Sequence, residues 1–284
     1  MGSKEGIMHL SMAYLNPGDQ VLIPNPGYPT YASVTNLMEA ETVLYDLKPE
    51  NGWQPDFKTL ESLDTTKIKI MWLNYPHMPT GADSSEKIFD RLIKWAKKSD
   101  ILLVNDNPYS FVLTKKPKSI LSRPGAHEVA VELNSLSKSF NMAGWRIGML
   151  CGKSEVIKQT LKVKSNMDSG MFFGIQKGAI EALKMKPNWF KSLNQIYYKR
   201  KRLMENLVVK LGATIENESV GLFIWAKLPK GAPKSEVFID NILTKKNIFI
   251  TPGTIFGSQG EGYIRLSLCV SEVLIKQAIE RMKS

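Results

Sequence analysis

The sequence predicts an α/β fold: a large domain with a mostly parallel, doubly wound sheet, followed by a smaller α+β domain. Short, nearly continuous apolar runs alternate with amphipathic stretches over more than half of the 284 residues. Such alternation is typical of a parallel sheet that helices cover on both faces. The pattern changes after about residue 188, so we place the large domain at residues 1–188 and the small domain at residues 189–284.

The apolar runs predict the strands of the large domain, because they are short and bounded by turn residues. The predicted strands cover residues 20–24, 42–47, 68–73, 101–105, 129–134 and 147–152. Residues 83–98 are predicted to be helical, because apolar side chains recur every three or four positions between Ile88 and Trp95. Asp83, with Glu86 three positions later, is predicted to cap this helix.

The small domain is predicted to start with a long basic helix over residues 188–212. A strand at 220–228, a helix at 235–244, two short strands and a terminal helix follow. We interpret the basic residues of the long helix as a solvated face, because aromatic side chains do not interleave with them as stacking platforms for bases.

Composition excludes several classes of protein. With 43% hydrophobic and 23% charged residues, the chain is neither disordered nor a disulfide scaffold. No apolar run is long enough to span a bilayer, and no signal-peptide pattern is present. We therefore expect a cytoplasmic protein with no membrane partner. The net charge of +11 is interpreted as that of a basic soluble enzyme, with no nucleic-acid partner.

The cysteines and histidines are too dispersed to suggest a metal site. Cys151 and Cys269 have no partner at metal-ligand spacing and lie among apolar residues. We therefore expect two buried free thiols in a reducing compartment. The three histidines are far apart in the sequence, and no metal is predicted.

A lysine follows closely after a predicted apolar strand. Lys138 is surrounded by small hydroxyl residues, Ser135 among them, and Arg146 lies eight positions further on. An unprotonated lysine amine forms Schiff bases with carbonyl compounds, and a guanidinium beside hydroxyls suits a phosphate. Together these groups point to an aldehyde that carries a phosphate, which is a description of pyridoxal phosphate.

A carboxylate follows another predicted buried strand. Asp106 stands at the carboxyl end of the run at 101–105, where ligands gather in parallel sheets. A buried carboxylate needs a cationic partner, and a protonated pyridine nitrogen would supply one. Tyr109, three residues later, would reach the phenolic oxygen of the same ring. Taken alone, the motif is better explained as a helix-capping aspartate beside a turn proline.

Two weaker signals lie near the start of the sequence. Residues 2–6 lead into an apolar helix pattern, so the backbone N–H groups of Ser3 and Lys4 would bind a phosphate at a helix N-terminus. Tyr28 lies in a rigid Pro-Gly-Tyr-Pro turn and would stack on a flat ring. A plain turn with a packed tyrosine explains the second motif equally well.

An arginine occupies the middle of a predicted strand in the small domain. Ile264 and Leu266 point to the face opposite Arg265. The planar guanidinium suits a carboxylate, which it can bind through two N–H groups. A structural salt bridge is the alternative explanation.

These segments, in this order, resemble the class I/II aminotransferase family of fold type I, which uses pyridoxal phosphate. The resemblance covers nearly the whole chain, and the lysine segment is its most specific part. The segments that carry it are residues 74–81, 106–109, 135–148 and 251–265. Within the family, the sequence is most similar in character to LL-diaminopimelate and aspartate-type aminotransferases.

The resemblance implies a role for each candidate residue. Lys138 would form the Schiff base with the cofactor and move a proton between the substrate and the cofactor. The implied cofactor contacts are Asp106 at the pyridine nitrogen, Tyr109 at the ring oxygen, Tyr28 on the ring face, and Ser3, Lys4, Ser135 and Arg146 at the phosphate. Arg265 would bind the α-carboxylate of the amino acid substrate.

The implied reaction is a ping-pong transfer of an amino group from an L-amino acid to a 2-oxo acid, in a homodimer. A carbon–sulfur lyase or a decarboxylase on the same scaffold stays open as an alternative. A third alternative is a non-catalytic, aminotransferase-like effector domain of a transcription regulator.

Two features depart from the family pattern. Met78 precedes Pro79 where the family usually has an asparagine whose amide bonds the ring oxygen of the cofactor. Because one neutral hydrogen bond contributes on the order of 1 kcal/mol, we expect a cofactor with altered properties, with His77 or Asn74 as possible substitutes for the donor. Family members also carry a further N-terminal stretch, and we expect that the sequence is truncated there.

Overall fold

The computed structural model describes residues 2–216 and 218–283. Its larger sheet consists of β1 (Gln20–Asn25), β2 (Glu41–Asp46), β3 (Ile68–Leu73), β4 (Leu102–Asp106), β5 (Ala130–Ser135) and β6 (Gly148–Gly152). The strand order is β2-β1-β3-β4-β5-β6, with every pair parallel except β5 and β6. The mostly parallel α/β fold predicted from the sequence is therefore confirmed, and each strand lies within one residue of its predicted range.

Burial along the strands follows their position in the sheet. The central strands β3 and β4 are almost wholly buried, as their continuous apolar sequences predict. Side chains on the two edge strands are less buried. Leu44 on β2 is 52% exposed, and Cys151 on the antiparallel edge strand β6 is exposed as well. Cys269 is also exposed, so the prediction of buried thiols is wrong because an apolar neighbourhood in sequence did not mean an interior position.

Eleven α-helices fall within the described residues. They are α1 (Gly2–Tyr14), α2 (Pro29–Leu37), α3 (Phe57–Glu61), α4 (Glu86–Ser99), α5 (Ala126–Val129), α6 (Leu136–Ser139), α7 (Ser154–Met167), α8 (Phe173–Leu183), α9 (Pro187–Lys210), α10 (Ser235–Lys246) and α11 (Glu272–Arg281). The predicted cap of α4 is wrong: Ser85 caps it by accepting a hydrogen bond from the N–H of Ile88. Asp83 lies two residues before this cap, and its carboxylate forms an ion pair with Lys118.

The C-terminal part of the chain forms a separate sheet. Its strands are β7 (Phe223–Lys227), β8 (Thr251–Pro252) and β9 (Tyr263–Ser267), in the antiparallel order β7-β9-β8. The strand predicted at 220–228 is shorter than expected, since Gly221 has a positive φ of 79° and lies before it. One apolar core contains residues of both sheets, from Leu22 on β1 to Trp225 on β7.

The loop between β8 and β9 is attached to the carboxyl end of β1. The side-chain amide of Asn25 donates to Ser258 Oγ at 2.9 Å, and the N–H of Gly27 donates to the carbonyl of Phe256 at 2.7 Å. Gly257 is required there, since a Cβ would lie 2.2 Å from Asn25 Oδ1. The first of these contacts joins residues 233 positions apart, and together they bring the small sheet to the edge where the parallel strands end.

Membrane-spanning helices and clusters of metal ligands are both absent from residues 2–216 and 218–283. None of the helices there has the length and apolar character that crossing a membrane requires. The same residues hold no group of three or more histidine, cysteine, aspartate or glutamate side chains arranged as metal ligands.

Candidate active site

Every candidate site residue from the sequence lines a single cavity of about 300 Å³. The cavity lies at the carboxyl ends of the parallel strands, as expected for a sheet of this type. The candidates that line it are Ser3, Lys4, Tyr28, Met78, Asp106, Tyr109, Ser135, Lys138, Arg146 and Arg265. Side chains that were not among the predicted site residues line it as well: Asn74, Pro108, Ser137, Ala143 and Phe223.

Asp106, the last residue of β4, is the buried carboxylate of the cavity. Its Oδ2 atom accepts a hydrogen bond from the Tyr31 hydroxyl at 3.0 Å, whereas its buried Oδ1 atom has no partner within the described residues. Burial raises the pKa of Asp106 to about 7, with a smaller upward contribution from the nearby Glu132, while the Tyr31 hydrogen bond acts in the opposite direction. A carboxylate with one free, desolvated oxygen is prepared to accept a hydrogen bond from a cationic donor.

Tyr31 was missed by the sequence analysis. It follows Tyr28 by three positions, in the first turn of α2, where Pro29 starts the helix. Its ring lies 4.9 Å from the ring of Trp72, almost parallel to it, and the Tyr28 ring packs against it edge-on. The spacing of the two tyrosines could have identified Tyr31. Residues three positions apart at the start of a helix lie on the same face, so Tyr31 lies beside Tyr28.

Lys138 lies in the short helix α6, immediately after β5. Ser135 caps this helix by accepting a hydrogen bond from the N–H of Ser137 at 3.2 Å. The carbonyl of Ser139 accepts from the Trp189 indole at 3.0 Å, which attaches the turn to α9. Lys138 is half-buried and forms no ion pair with any described carboxylate, so its amine is available to a ligand in the cavity.

The first turn of α1 meets Arg146 at one end of the cavity. A Cβ on Gly2 would lie 2.6 Å from Arg146 Nη2, and a Cβ on Gly148 would lie 3.0 Å from the backbone nitrogen of Ser3. Glycine at both positions therefore allows the guanidinium and the helix start to approach closely. Backbone N–H groups, the Ser135 hydroxyl and a guanidinium form a donor set suited to a phosphate.

Arg265 lies on β9, with its guanidinium carbon 4.2 Å from the ring centre of Phe223 and 4.6 Å from that of Phe256. Its Nη1 atom lies 3.5 Å from the sulfur of Met78, and its Nε atom is buried without a partner. No carboxylate in residues 2–216 or 218–283 forms an ion pair with it, so the structural salt bridge considered from the sequence is not observed. Burial lowers the pKa of Arg265.

The two residues expected to substitute for the donor missing at Met78 are engaged elsewhere. The Asn74 amide donates to the carbonyl of Asp106 at 2.6 Å and accepts from the N–H of Met78 at 2.8 Å. His77 is not among the cavity residues, and its Nδ1 atom lies 2.7 Å from Thr80 Oγ1. Burial lowers the pKa of His77 to about 3.

Comparison with known proteins identifies the family. The profile of the family described as "Aminotransferase class I and II" matches residues 1–282. The chain is 39% identical to the LL-diaminopimelate aminotransferase of Aquifex aeolicus, over 100% of this chain and 74% of that protein. It is 41% identical to the enzyme of the same name from Halothermothrix orenii, over 100% of this chain and 73% of that protein.

Solved structures agree with the sequence comparison. Substrate-bound BacF of Bacillus subtilis superposes with a TM-score of 0.94 at 36% identity, over 99% of this chain and 72% of that chain. A probable N-succinyldiaminopimelate aminotransferase of Thermus thermophilus superposes with a TM-score of 0.91 at 30% identity, over 99% of this chain and 76% of that chain. The fold, the cavity and both comparisons lead to one conclusion: the chain belongs to the class I and II aminotransferase family and is a pyridoxal-phosphate-dependent aminotransferase.

Proposed function

We propose that this aminotransferase moves the amino group of LL-diaminopimelate to a 2-oxo acid, with its cofactor bound in the cavity that Asp106, Lys138 and Arg265 line. Identities of 39–41% over the whole chain to relatives named for this substrate support the choice of donor. The observation that carries the site assignment is the buried, unpartnered Oδ1 atom of Asp106, which shares its cavity with an unpaired amine and an unpaired guanidinium.

The residues present fit pyridoxal phosphate. Oδ1 of Asp106, which is buried and has no partner in the described residues, would accept a hydrogen bond from the pyridine nitrogen, and the Tyr109 hydroxyl would donate to the ring oxygen. Burial raises the pKa of Tyr109, so its hydroxyl stays protonated and able to donate. Tyr28 supplies a ring to stack on the cofactor. The phosphate-binding groups are the backbone of Ser3 and Lys4, the Ser135 hydroxyl and Arg146.

Each charged residue then has a defined task. When bound, the cofactor supplies an electron sink for charge that develops at the substrate Cα. Nζ of Lys138 would hold the cofactor and, as a free amine, would remove the proton from the substrate Cα as a general base. Asp106 keeps a positive charge at the pyridine end by its own negative charge. Arg265 binds the α-carboxylate and so orients the Cα–H bond toward Lys138.

The cofactor assignment is tested by absorbance. We expect the purified protein mixed with pyridoxal phosphate to show a visible band that Lys138→Ala abolishes, because Lys138 follows directly after β5 at the strand ends, whereas Lys4, the other lysine that lines the cavity, lies in the first turn of α1. Lys162→Ala, on the exposed face of α7, is the control and should keep the band. A band that survives in Lys138→Ala would overturn the assignment.

The donor is tested by steady-state kinetics. With 2-oxoglutarate as acceptor, kcat/KM for LL-diaminopimelate should exceed that for L-aspartate and for an aromatic amino acid. Turnover with an acceptor also separates a transaminase from a lyase, which would release the substrate carbon skeleton in fragments, and from a regulator, which would not turn over. A higher kcat/KM for aspartate would overturn the proposed donor.

We further propose a homodimer, on the basis of an apolar face on α7, α8 and their connection. Its exposed side chains are Met167 at 59%, Phe172 at 75%, Phe173 at 65% and Leu183 at 55%. Several exposed, large apolar side chains along one stretch of chain are typical of interaction sites, and a second copy is the occupant we propose. Sedimentation should give a dimer that a Phe172→Glu/Phe173→Glu double variant dissociates. The control is Val273→Glu, at an exposed apolar position on α11.

Domain division and location are proposals as well. The separation of the two sheets supports a division into two domains, and the proposed boundary at residues 188/189 lies in the first turn of α9. Two exposed free cysteines are compatible with the reducing cytoplasm, where thiols persist unpaired.

A further inference from the structure

Tyr31 makes the one side-chain hydrogen bond that Asp106 receives within the described residues. The hydroxyl donates to Oδ2 at 3.0 Å, and both residues are buried. A carboxylate bound at one oxygen by a fixed donor has a defined orientation, which leaves the other oxygen as its free acceptor. In this molecule that free oxygen is the unpartnered Oδ1.

The donor is itself held rigidly. The Tyr31 side chain has no exposed surface, and its ring stacks on the buried Trp72 with an interplanar angle of 5°. The carbonyl of Tyr31 accepts from Thr35 Oγ1 at 2.8 Å, within α2. Burial and the neighbouring Asp106 raise the pKa of Tyr31 well above its usual value, so the hydroxyl remains a donor at every working pH.

We propose that Tyr31 is a positioning residue: its hydroxyl fixes Oδ2 of Asp106 and stabilises the ionised carboxylate, so that Oδ1 is presented to the pyridine nitrogen as an anion. The inference rests on the proposed contact between Asp106 and the cofactor. Without this hydrogen bond, Asp106 would bind its own proton more tightly and compete with the nitrogen for it.

Other charged and titratable groups also face Asp106 from the surrounding elements. They are Glu132 on β5, Tyr109 after β4, Tyr28 before α2, Lys138 on α6, and Arg146 and Arg265 across the cavity. Glu132 opposes the ionisation of Asp106, since both groups carry a negative charge when ionised. The Glu132 carboxylate itself accepts hydrogen bonds from the Asn105 amide and from the N–H of Ile120. Within the described residues, none of these groups forms a hydrogen bond with the Asp106 side chain. Tyr31 does, and its hydroxyl is an uncharged donor in a fixed position.

Tyr31→Phe removes the donor and keeps the ring. A matched control is Tyr45→Phe: Tyr45 is also a buried tyrosine, and its hydroxyl donates to the carbonyl of Trp72 at 2.6 Å without contact to Asp106. Both variants lose one buried hydroxyl next to Trp72, whose ring stacks on Tyr31 and whose carbonyl accepts from Tyr45. A general loss of packing would therefore affect them alike, whereas loss of the proposed role affects only Tyr31→Phe.

The first measurement uses the apoprotein. A ¹³C NMR titration of the Asp106 carboxyl, assigned with Asp106→Asn, should show a higher pKa in Tyr31→Phe than in the wild type, with a proton affinity increased about tenfold. Tyr45→Phe should titrate like the wild type. Replacing Tyr31 by 3-fluorotyrosine, which retains the packing and is a stronger donor, should move the titration in the opposite direction. Unchanged titration in both Tyr31 variants would overturn the inference.

The second measurement uses the protein loaded with ¹⁵N-labelled pyridoxal phosphate. The pyridine nitrogen should show the chemical shift of a protonated ring in the wild type and in Tyr45→Phe, and should move toward the unprotonated value in Tyr31→Phe. An identical shift in all three proteins would overturn the role toward the cofactor. If the wild type bound no pyridoxal phosphate, the proposed function would fail, while the apoprotein titration would still decide whether Tyr31 governs Asp106.

Discussion

Asp106 and Arg265 line the same cavity, yet the protein holds their charges in different ways. The carboxylate lies at the end of a parallel strand and is fixed by a directional hydrogen bond from Tyr31. The guanidinium lies on the small antiparallel sheet, against the rings of Phe223 and Phe256. Aromatic contacts use the flat face of a guanidinium and leave its N–H edge free, whereas a hydrogen bond uses up one carboxylate oxygen.

The difference matches the ligand that each of these two side chains is proposed to bind. A pyridine nitrogen offers one N–H, so one free carboxylate oxygen is sufficient. A substrate carboxylate offers two oxygens, so the arginine must retain several free N–H groups. The following predictions test this contrast, starting with the largest expected effect.

Asp106→Asn removes the negative charge and keeps the shape of the side chain. We expect kcat to fall on the order of 10³-fold, since the neutral amide cannot stabilise a positive charge at the pyridine end. Single-turnover kinetics with saturating cofactor would measure the loss. Glu132→Gln is the control for removal of a nearby buried charge that does not line the cavity, and it should cost far less. A decrease below tenfold in Asp106→Asn would contradict the assigned role.

The stability of the apoprotein should depend on the ionisation of Asp106. Its pKa is raised from the usual 3.8 to about 7 on burial, so the folded state binds the proton more tightly than the unfolded state does. The resulting stabilisation is fully present below pH 3.8 and is lost as the pH rises to about 7.

At pH 8, Asp106→Asn apoprotein should therefore be more stable than the wild type by on the order of 4 kcal/mol, and this advantage should shrink as the pH falls. Urea unfolding of both proteins between pH 5 and pH 8 would measure it. A constant difference across this range would show that the carboxyl group does not titrate there.

Arg265→Lys keeps the charge and removes the planar, forked set of donors. We expect KM for the amino acid to increase roughly 10–100-fold, because a hydrogen bond to a charged group contributes about 1.5–3 kcal/mol. Cofactor affinity should remain within twofold of the wild type when measured by absorbance titration. An equal loss of substrate and cofactor binding would indicate that Arg265 supports the whole cavity.

Met78→Asn should have the smallest effect. The new amide would donate a hydrogen bond to the ring oxygen of the cofactor. This bond would stabilise the deprotonated form of the cofactor by about 1 kcal/mol. The pH midpoint of the visible absorbance change should therefore decrease relative to the wild type. Met78→Leu, which also lacks a donor, serves as the control and should leave the midpoint in place. An unchanged midpoint in both variants would show that position 78 does not reach the ring oxygen.

The sequence predicted the parts of the molecule whose signals are local. Continuous apolar runs located the strands, and polar residues placed directly after them, such as Asp106 and Lys138, had to gather where the parallel strands end. The cavity was therefore predictable from topology, even though its lining residues are far apart in the chain.

Features that depend on tertiary neighbours were not predicted. The hydrogen bond from Tyr31 to Asp106 and the ring of Phe223 against Arg265 join separate elements. The spacing of Tyr31 from Tyr28 indicates a shared face but not the distant partner, and Phe223 has no local motif. The cysteines were misplaced for a related reason, since Cys151 lies on an edge strand whose exposure depends on what packs beside it. The cap of α4 was misplaced by two residues, because Asp83 and Ser85 are both suitable caps and only one lies at the helix start.

The hydrogen bond between Asn25 and Ser258 has a consequence for folding kinetics. It closes a loop of 233 residues, and the contact of Gly27 with Phe256 closes another of similar length. Contacts with such sequence separation form slowly, because the chain must lose much of its conformational freedom before they add stability. Arg265 should therefore reach the cavity late in refolding, after the parallel strands have already gathered Asp106 and Lys138.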